Sequence, residues 1–133
     1  MSKLFLDDMR VPMEAFDYTS NPSYVLDGWD IVRCYDEFVA YVEKNGIPNI
    51  VSFDHDLGDE HYRDCDRGLE IKYDEYKEKT GYHCMKWLGE KCYDEKVQLP
   101  IVLCHSMNPV GKKNILDYAA WAGRKIDELI SNG

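Results

Sequence analysis

Short apolar runs separated by longer amphipathic stretches set the rhythm of this chain. Lys3-Leu4-Phe5-Leu6 predicts a first strand that runs into Asp7-Asp8-Met9-Arg10-Val11-Pro12, where Pro12 disfavours helix at Val11. Residues 13–28 show no clean period and are expected to form loop or irregular structure. Trp29-Asp30-Ile31-Val32-Arg33 predicts a second strand. Asp36 is then expected to cap a helix whose apolar positions are Phe38, Val39 and Val42, closed by Asn45-Gly46 and stopped by Pro48. Residues 49–53 predict a third strand that ends abruptly in Asp54-His55-Asp56-Leu57-Gly58. Thr80-Gly81 opens another helix, with Cys84, Met85, Leu88 and Cys92 on one face. Residues 99–104 predict a fourth strand ending in His105-Ser106. Asn108 and Pro109 suit the N-cap and first position of a last helix, with Ile115, Ala119, Ala122, Ile126 and Leu129 as its buried stripe.

Near-continuous apolar strands alternating with amphipathic helices indicate an α/β fold, a parallel sheet covered on both faces. In such sheets ligands bind outside the carboxyl ends of the strands. Three strands here deliver polar groups to that edge: Asp7-Asp8, Asp54-His55-Asp56 and His105-Ser106. One acid after a strand is ordinary loop chemistry, but three coincidences at one edge point to a site. Strand alternation starts Asp54 and Asp56 on one side with His55 opposite. Two carboxylates held close are easiest to tolerate around a cation or a shared proton.

The chemistry follows from the residue types. Asp7, Asp8, Asp54 and Asp56 offer the oxygen ligands that a hard divalent cation, magnesium above all, prefers. Arg10 is a candidate for gripping a phosphate, or for simply neutralising the acids. Ser106, Asn108 and the N-terminus of the last helix offer an anion seat. His105 is a candidate acid or base, with Asp54 and Asp56 as its catalytic partners, and His55 is a candidate ligand contact. A structural role alone accounts best for Asp8 as a turn cap and for His83 in a helix's first turn. It also serves for Asn108 as a plain cap and for His55 as a packing residue. It serves least for Asp54, Asp56 and His105.

The 133 residues suit one domain spanning 1–133, and 44% hydrophobic and 13% aromatic residues suffice for a core. A dense run of charge and tyrosine at about 59–79 is expected to be a solvated insertion, or alternatively a lid. A formal net charge of -9, with no basic run longer than two residues, argues against duplex DNA as a partner. A small phosphate ligand stays open, because a metal can override the net charge. The cysteines are odd in number, Cys34, Cys65, Cys84, Cys92 and Cys104, without C-x-x-C spacing, so reduced thiols in the cytoplasm are expected. No apolar run approaches membrane-spanning length. The sequence lacks a zinc-type histidine spacing, a Gly-rich phosphate loop and a nucleophile elbow around Ser106.

Four stretches together resemble the cyclic-phosphate-processing receiver-like family. They are Leu6-Asp7-Asp8-Met9-Arg10-Val11-Pro12, Ser52-Phe53-Asp54-His55-Asp56-Leu57-Gly58, Thr80-Gly81-Tyr82, and the run from His105-Ser106-Met107-Asn108-Pro109 to Ile115. The resemblance implies a three-layer, flavodoxin-like receiver fold, here with four main strands and the fifth missing or degenerate. It also implies an acidic pocket of Asp7, Asp8 and Asp54, joined by Asp56, Arg10 and the His105-Ser106-x-Asn108 segment. The expected ligand is a cyclic phosphate on a nucleotide or RNA end. The expected activity is a metal-assisted phosphoesterase, the alternatives being a binding module or a phosphoacceptor receiver using Asp54. Ordinary receivers carry a lysine after a fifth strand. Lys112 and Lys113, at the start of the last helix, do not match it.

Overall fold

The computed structural model describes residues 2–58 and 79–132. The expected insertion therefore lies outside the described residues, apart from Lys79. Four strands, β1 (Lys3–Leu6), β2 (Trp29–Val32), β3 (Ile50–Phe53) and β4 (Ile101–Cys104), form one sheet in the order β2-β1-β3-β4. Every pairing is parallel. This is the expected receiver-like α/β architecture, and among the described residues no fifth strand follows β4.

The sheet separates two cores of unequal size. Leu4, Leu6, Val51 and Phe53 point to the larger one, where they meet helices α2 (Tyr35–Asn45), α3 (Gly81–Glu95) and α4 (Pro109–Asn132) through Phe38, Met85, Leu88, Ile115 and Ile126. Phe5 points to the smaller one, against Ala15, Tyr24 and Trp29. The central strands β1 and β3 are buried at every residue, whereas the edge strands are not. Ile101 at the start of β4 is 60% exposed, so the buried apolar strand expected there is an outer edge.

Residues 13–28 depart from the loop expectation. Helix α1 spans Pro12–Thr19, and a 3₁₀ turn follows at Pro22–Val25. Pro12 occupies the first helical position with its φ already set, and Val11 before it is extended, as a residue preceding proline must be. The Glu14 carboxylate accepts from Val11 N at 3.3 Å. The helix has two turns and buries only Ala15, too little for a legible period. Its task is to cover the small core.

Helix α2 also begins earlier than expected. Cys34 is its N-cap, and Asp36 lies exposed in the first turn. Glu37 replaces the expected cap by reaching back to accept from Arg33 N at 2.8 Å. The helix expected to open at Thr80-Gly81 is capped by Thr80, its hydroxyl accepting from His83 N while His83 Nδ1 accepts from Thr80 N at 2.8 Å. His83 is thus part of a helix cap.

Candidate functional site

Strand register builds the site. Leu6 pairs with Phe53, and Phe53 with Cys104. The next residue on each strand is Asp7, Asp54 and His105, and all three fall in one row at the carboxyl edge. The backbone continues the ladder there: Asp54 N donates to Leu6 O at 2.9 Å, and His105 N to Phe53 O at 3.1 Å. Alternation places this row on the face of Phe5 and Ser52, under α1. Asp7, Asp54 and His105 are all buried, and one ligand atom from each lies within 4.8 Å of the others.

Asp7 is held on both oxygens. Its Oδ1 accepts from the backbone N–H groups of Met9 and Arg10, each at 2.8 Å. Its Oδ2 lies 3.0 Å from His105 Nε2 and 3.7 Å from Arg10 Nη1. Burial pushes this carboxyl up, but the hydrogen bond with His105 and the two backbone donors outweigh it and hold Asp7 below its ordinary range. Arg33, which sequence reading passed over, stands beside Asp7 in the β2 register. Its guanidinium donates to Asp7 O at 3.1 Å and Arg10 O at 2.7 Å, clamping the loop.

Asp54 has the opposite environment. Its Oδ1 accepts from His55 N at 2.9 Å, while its buried Oδ2 has no hydrogen-bond partner among the described residues. Burial, then the charges of Asp7, Asp56 and Asp8, push its carboxyl up to about 8, with Arg10 offsetting part of the effect. A buried, unsatisfied carboxylate oxygen is costly unless a proton or cation meets it.

Asp56 does not join Asp54 in this row. The strand stops at Phe53, so its alternation no longer governs the following turn. Asp56 Oδ1 lies 2.7 Å from His55 Nδ1 and accepts from Asn108 Nδ2 at 3.2 Å. The His55 ring is fully buried against Gly111, and Gly81 N donates to His55 O at 2.8 Å. A Cβ at Gly81 would collide with Asp54 O, and one at Gly111 with the His55 ring. His55, Asp56 and Asn108 therefore brace the Asp54 backbone between the starts of α3 and α4.

The helix end expected to seat an anion is partly occupied by its own side chains. Ser106 Oγ accepts from Asn108 N at 3.1 Å, and Asn108 Oδ1 from Gly111 N at 3.0 Å. Asn108 is thus both a cap and a partner of Asp56. Arg10 lies at the rim, its Nη2 3.5 Å from Met107 Sδ and its guanidinium 5.4 Å from the centre of the Tyr18 ring. Asp8 is half-buried beside the row.

His105 is more deeply engaged than the sequence implies. Its Nδ1 lies 2.7 Å from Ser52 Oγ, which lies 2.7 Å from the Tyr24 hydroxyl. The ring stacks on Phe5 at 4.2 Å. Burial lowers its pKa, with the neighbouring Asp7 carboxylate offsetting part of the effect. Asp7, His105 and Ser52 resemble a hydrolase triad, but the ring nitrogens are exchanged and Ser52 is fully buried, which removes it as a nucleophile. Sequence reading missed Tyr24 and Tyr18 with the α1 segment. The one available signal was a serine inside the otherwise apolar β3.

A groove of about 640 Å³ lies elsewhere, between α3 and α4, with walls that include Tyr93, Tyr118 and Trp121. Among the described residues, the one group of His, Cys, Asp and Glu side chains placed to share an ion is at the strand ends, not in this groove.

Comparison with protein families matches the chain to the model of the cyclic-phosphate processing receiver domain over residues 2–120. The chain belongs to this family. No curated protein and no solved structure shows significant similarity to it. The receiver assignment accounts for the parallel sheet and the helices that cover it. No described helix of this receiver domain is long and apolar enough to cross a membrane.

Proposed function

We propose that the chain is a metal-assisted phosphoesterase that opens a cyclic phosphate carried by a nucleotide or an RNA end. The observation that carries this reading is Asp54 Oδ2, a buried carboxylate oxygen without a partner among the described residues, in one row with Asp7. That donor set fits a hard divalent cation such as magnesium. Asp7 and Asp54 would hold it, with Asp8 alongside. When bound, the cation neutralises phosphate charge and acidifies a water.

The chain's own groups supply the rest. Arg10, at the rim, binds phosphate oxygens. The reaction adds water: a new P–O bond forms, one ring P–O bond breaks, and the departing alkoxide takes a proton to leave a phosphomonoester. Both His105 ring nitrogens are engaged inside the protein, so its part is to hold Asp7 and not to pass a proton to the substrate. His55, Asp56 and Asn108 act through the backbone of Asp54.

The test is turnover of a panel of cyclic nucleotides and cyclic-phosphate-ended RNA oligonucleotides. Hydrolysis should require a divalent cation, stop with a chelator and fall to background in Asp54→Asn. Tight binding of the panel without product would replace this reading with a sensing module. The phosphoacceptor alternative draws less support, because neither Asp54 oxygen is bonded to a lysine among the described residues. Lys112 and Lys113 are exposed on α4.

A further inference from the structure

We propose that the collar around the acidic row reads the base of a mononucleotide: Tyr18 and Met107 pack against the flat base while Arg10 takes the cyclic phosphate of the same molecule. This rests on the functional reading above in taking a cyclic phosphate as the ligand, and it names the group that carries the phosphate. The collar is apolar where a site for phosphate alone would be polar. Met9, Met13 and Met107 are 68%, 56% and 59% exposed, and Tyr18 is exposed beside them. Met9 sits between Asp8 and Arg10, and Met107 between Ser106 and Asn108, so two of these side chains belong to the loops that carry the site.

Contacts join these groups to the row. Arg10 Nη2 lies 3.5 Å from Met107 Sδ, and the guanidinium lies 5.4 Å from the centre of the Tyr18 ring. The Tyr18 hydroxyl donates to His105 O at 2.6 Å, which ties α1 to the end of β4. The arginine thus touches a methionine from the turn before α4 and an aromatic ring from α1. Exposed apolar side chains scattered singly are ordinary, but a group of them gathered at the mouth of a polar site marks where the apolar part of a ligand lies.

The side-chain types select a base. A ring held by its own hydroxyl has little freedom left to lose on binding, and every base has a π-face to stack on it. Thioethers are polarisable, adapt their shape and pack well against aromatic rings. A guanidinium can stack on a base with its plane and bond a phosphate with its edge. Together these groups fit an anion joined to a flat, uncharged ring, which is the chemistry of a nucleotide. The charges nearby favour a single one. Asp8 is beside the row, and Glu14 and Asp17 are exposed on α1, so the further phosphates of an RNA strand would meet acids where each needs a basic partner.

The experiment uses the whole chain with magnesium and compares adenosine 2′,3′-cyclic phosphate, the base-free ethylene phosphate, and a short RNA ending in the same cyclic adenosine phosphate. Affinity is read by calorimetry as Kd, or as KM where phosphorus NMR shows the ring opening. Wild type should bind the mononucleotide roughly 5- to 150-fold more tightly than ethylene phosphate, the scale of one base stack. It should bind the RNA no more tightly than the mononucleotide. Tyr18→Ala should lose most of the preference for the base while still binding ethylene phosphate. Tyr18→Phe, which keeps the ring and drops the bond to His105, should retain the preference. Met107→Ala should also lower it, and serves if Tyr18→Ala does not fold. No preference for the base in wild type, an equal loss for both small probes in Tyr18→Ala, or tighter binding of the RNA overturns the proposal. A base preference without ring opening would support the collar and overturn only the phosphoesterase reading.

Discussion

At the scale of single residues, Asp7 and Asp54 show how environment divides two identical carboxyls. Asp7 is bonded on both oxygens and stays ionised, whereas Asp54 keeps one buried oxygen unsatisfied and is pushed up to about 8. An unfolded aspartate titrates at about 3.9. Between these values the native state of the cation-free protein holds a proton that the unfolded chain has lost, so this group makes stability fall as pH rises from about 4 to about 8. Asp54→Asn stays neutral and removes that loss. In chelator, its stability relative to wild type should rise across this range, by on the order of a few kcal/mol at pH 8. Urea unfolding at pH 5 and pH 8 measures it, and parallel pH profiles for the two proteins would contradict the assigned environment. His105 works in the reverse sense. Its lowered pKa contributes stability that is present above the ordinary histidine range and lost as pH falls through the folded value.

At the scale of elements, the site depends on how closely α3 and α4 approach the turn after β3. Gly81 and Gly111 allow that approach, because a Cβ at either position meets backbone or a ring that cannot move aside. Gly81→Ala and Gly111→Ala should each cost about 1–3 kcal/mol or more, the usual scale of overpacking. Gly123, in the middle of α4, is the internal control. Its Cβ would sit 3.8 Å from Leu99, in ordinary contact, so Gly123→Ala should stabilise by about 0.5–1 kcal/mol through helix propensity alone. Chemical denaturation of the three variants separates crowding from propensity, and equal effects at all three would refute the close approach. The cap at Thr80 belongs to the same junction, and Thr80→Ala should cost about 1 kcal/mol.

At the scale of the whole molecule, a net charge of -9 surrounds a row of buried acids, so the proposed cation would relieve repulsion there. Magnesium should stabilise the fold in the manner of any ligand that binds only the folded state, by about 2.7 kcal/mol at a hundredfold excess over its dissociation constant, and so raise the melting temperature. The shift should vanish in Asp54→Asn, and a thermal-shift series with and without magnesium reads it directly. The sheet also has an outer edge at β4, where Ile101 is 60% exposed. Ile101→Lys should therefore change stability by no more than about 0.5 kcal/mol, and a larger loss in urea unfolding would mean that something covers the edge.

Much of this was legible before any coordinates, for identifiable reasons. Buried parallel strands must be apolar, so β1 and β3 announced themselves, and the acids that ended those runs marked the carboxyl edge. Helices α3 and α4 bury long apolar stripes, and Asn108-Pro109 is an ordinary start signal for α4, which made them readable as well. Helix α1 was not readable, because two turns with one buried residue leave no period. The sequence by itself determined the fold class, the family motifs, and the set of Asp7, Asp54 and His105 as strand-end residues. Only the tertiary structure decided which of those residues share a face. Register aligns Asp7, Asp54 and His105 in one row, while the turn after Phe53 sends Asp56 to His55 and Asn108. The links from Tyr24 and Ser52 to His105 bridge 28 and 53 residues of chain, and no local pattern encodes contacts across such separations.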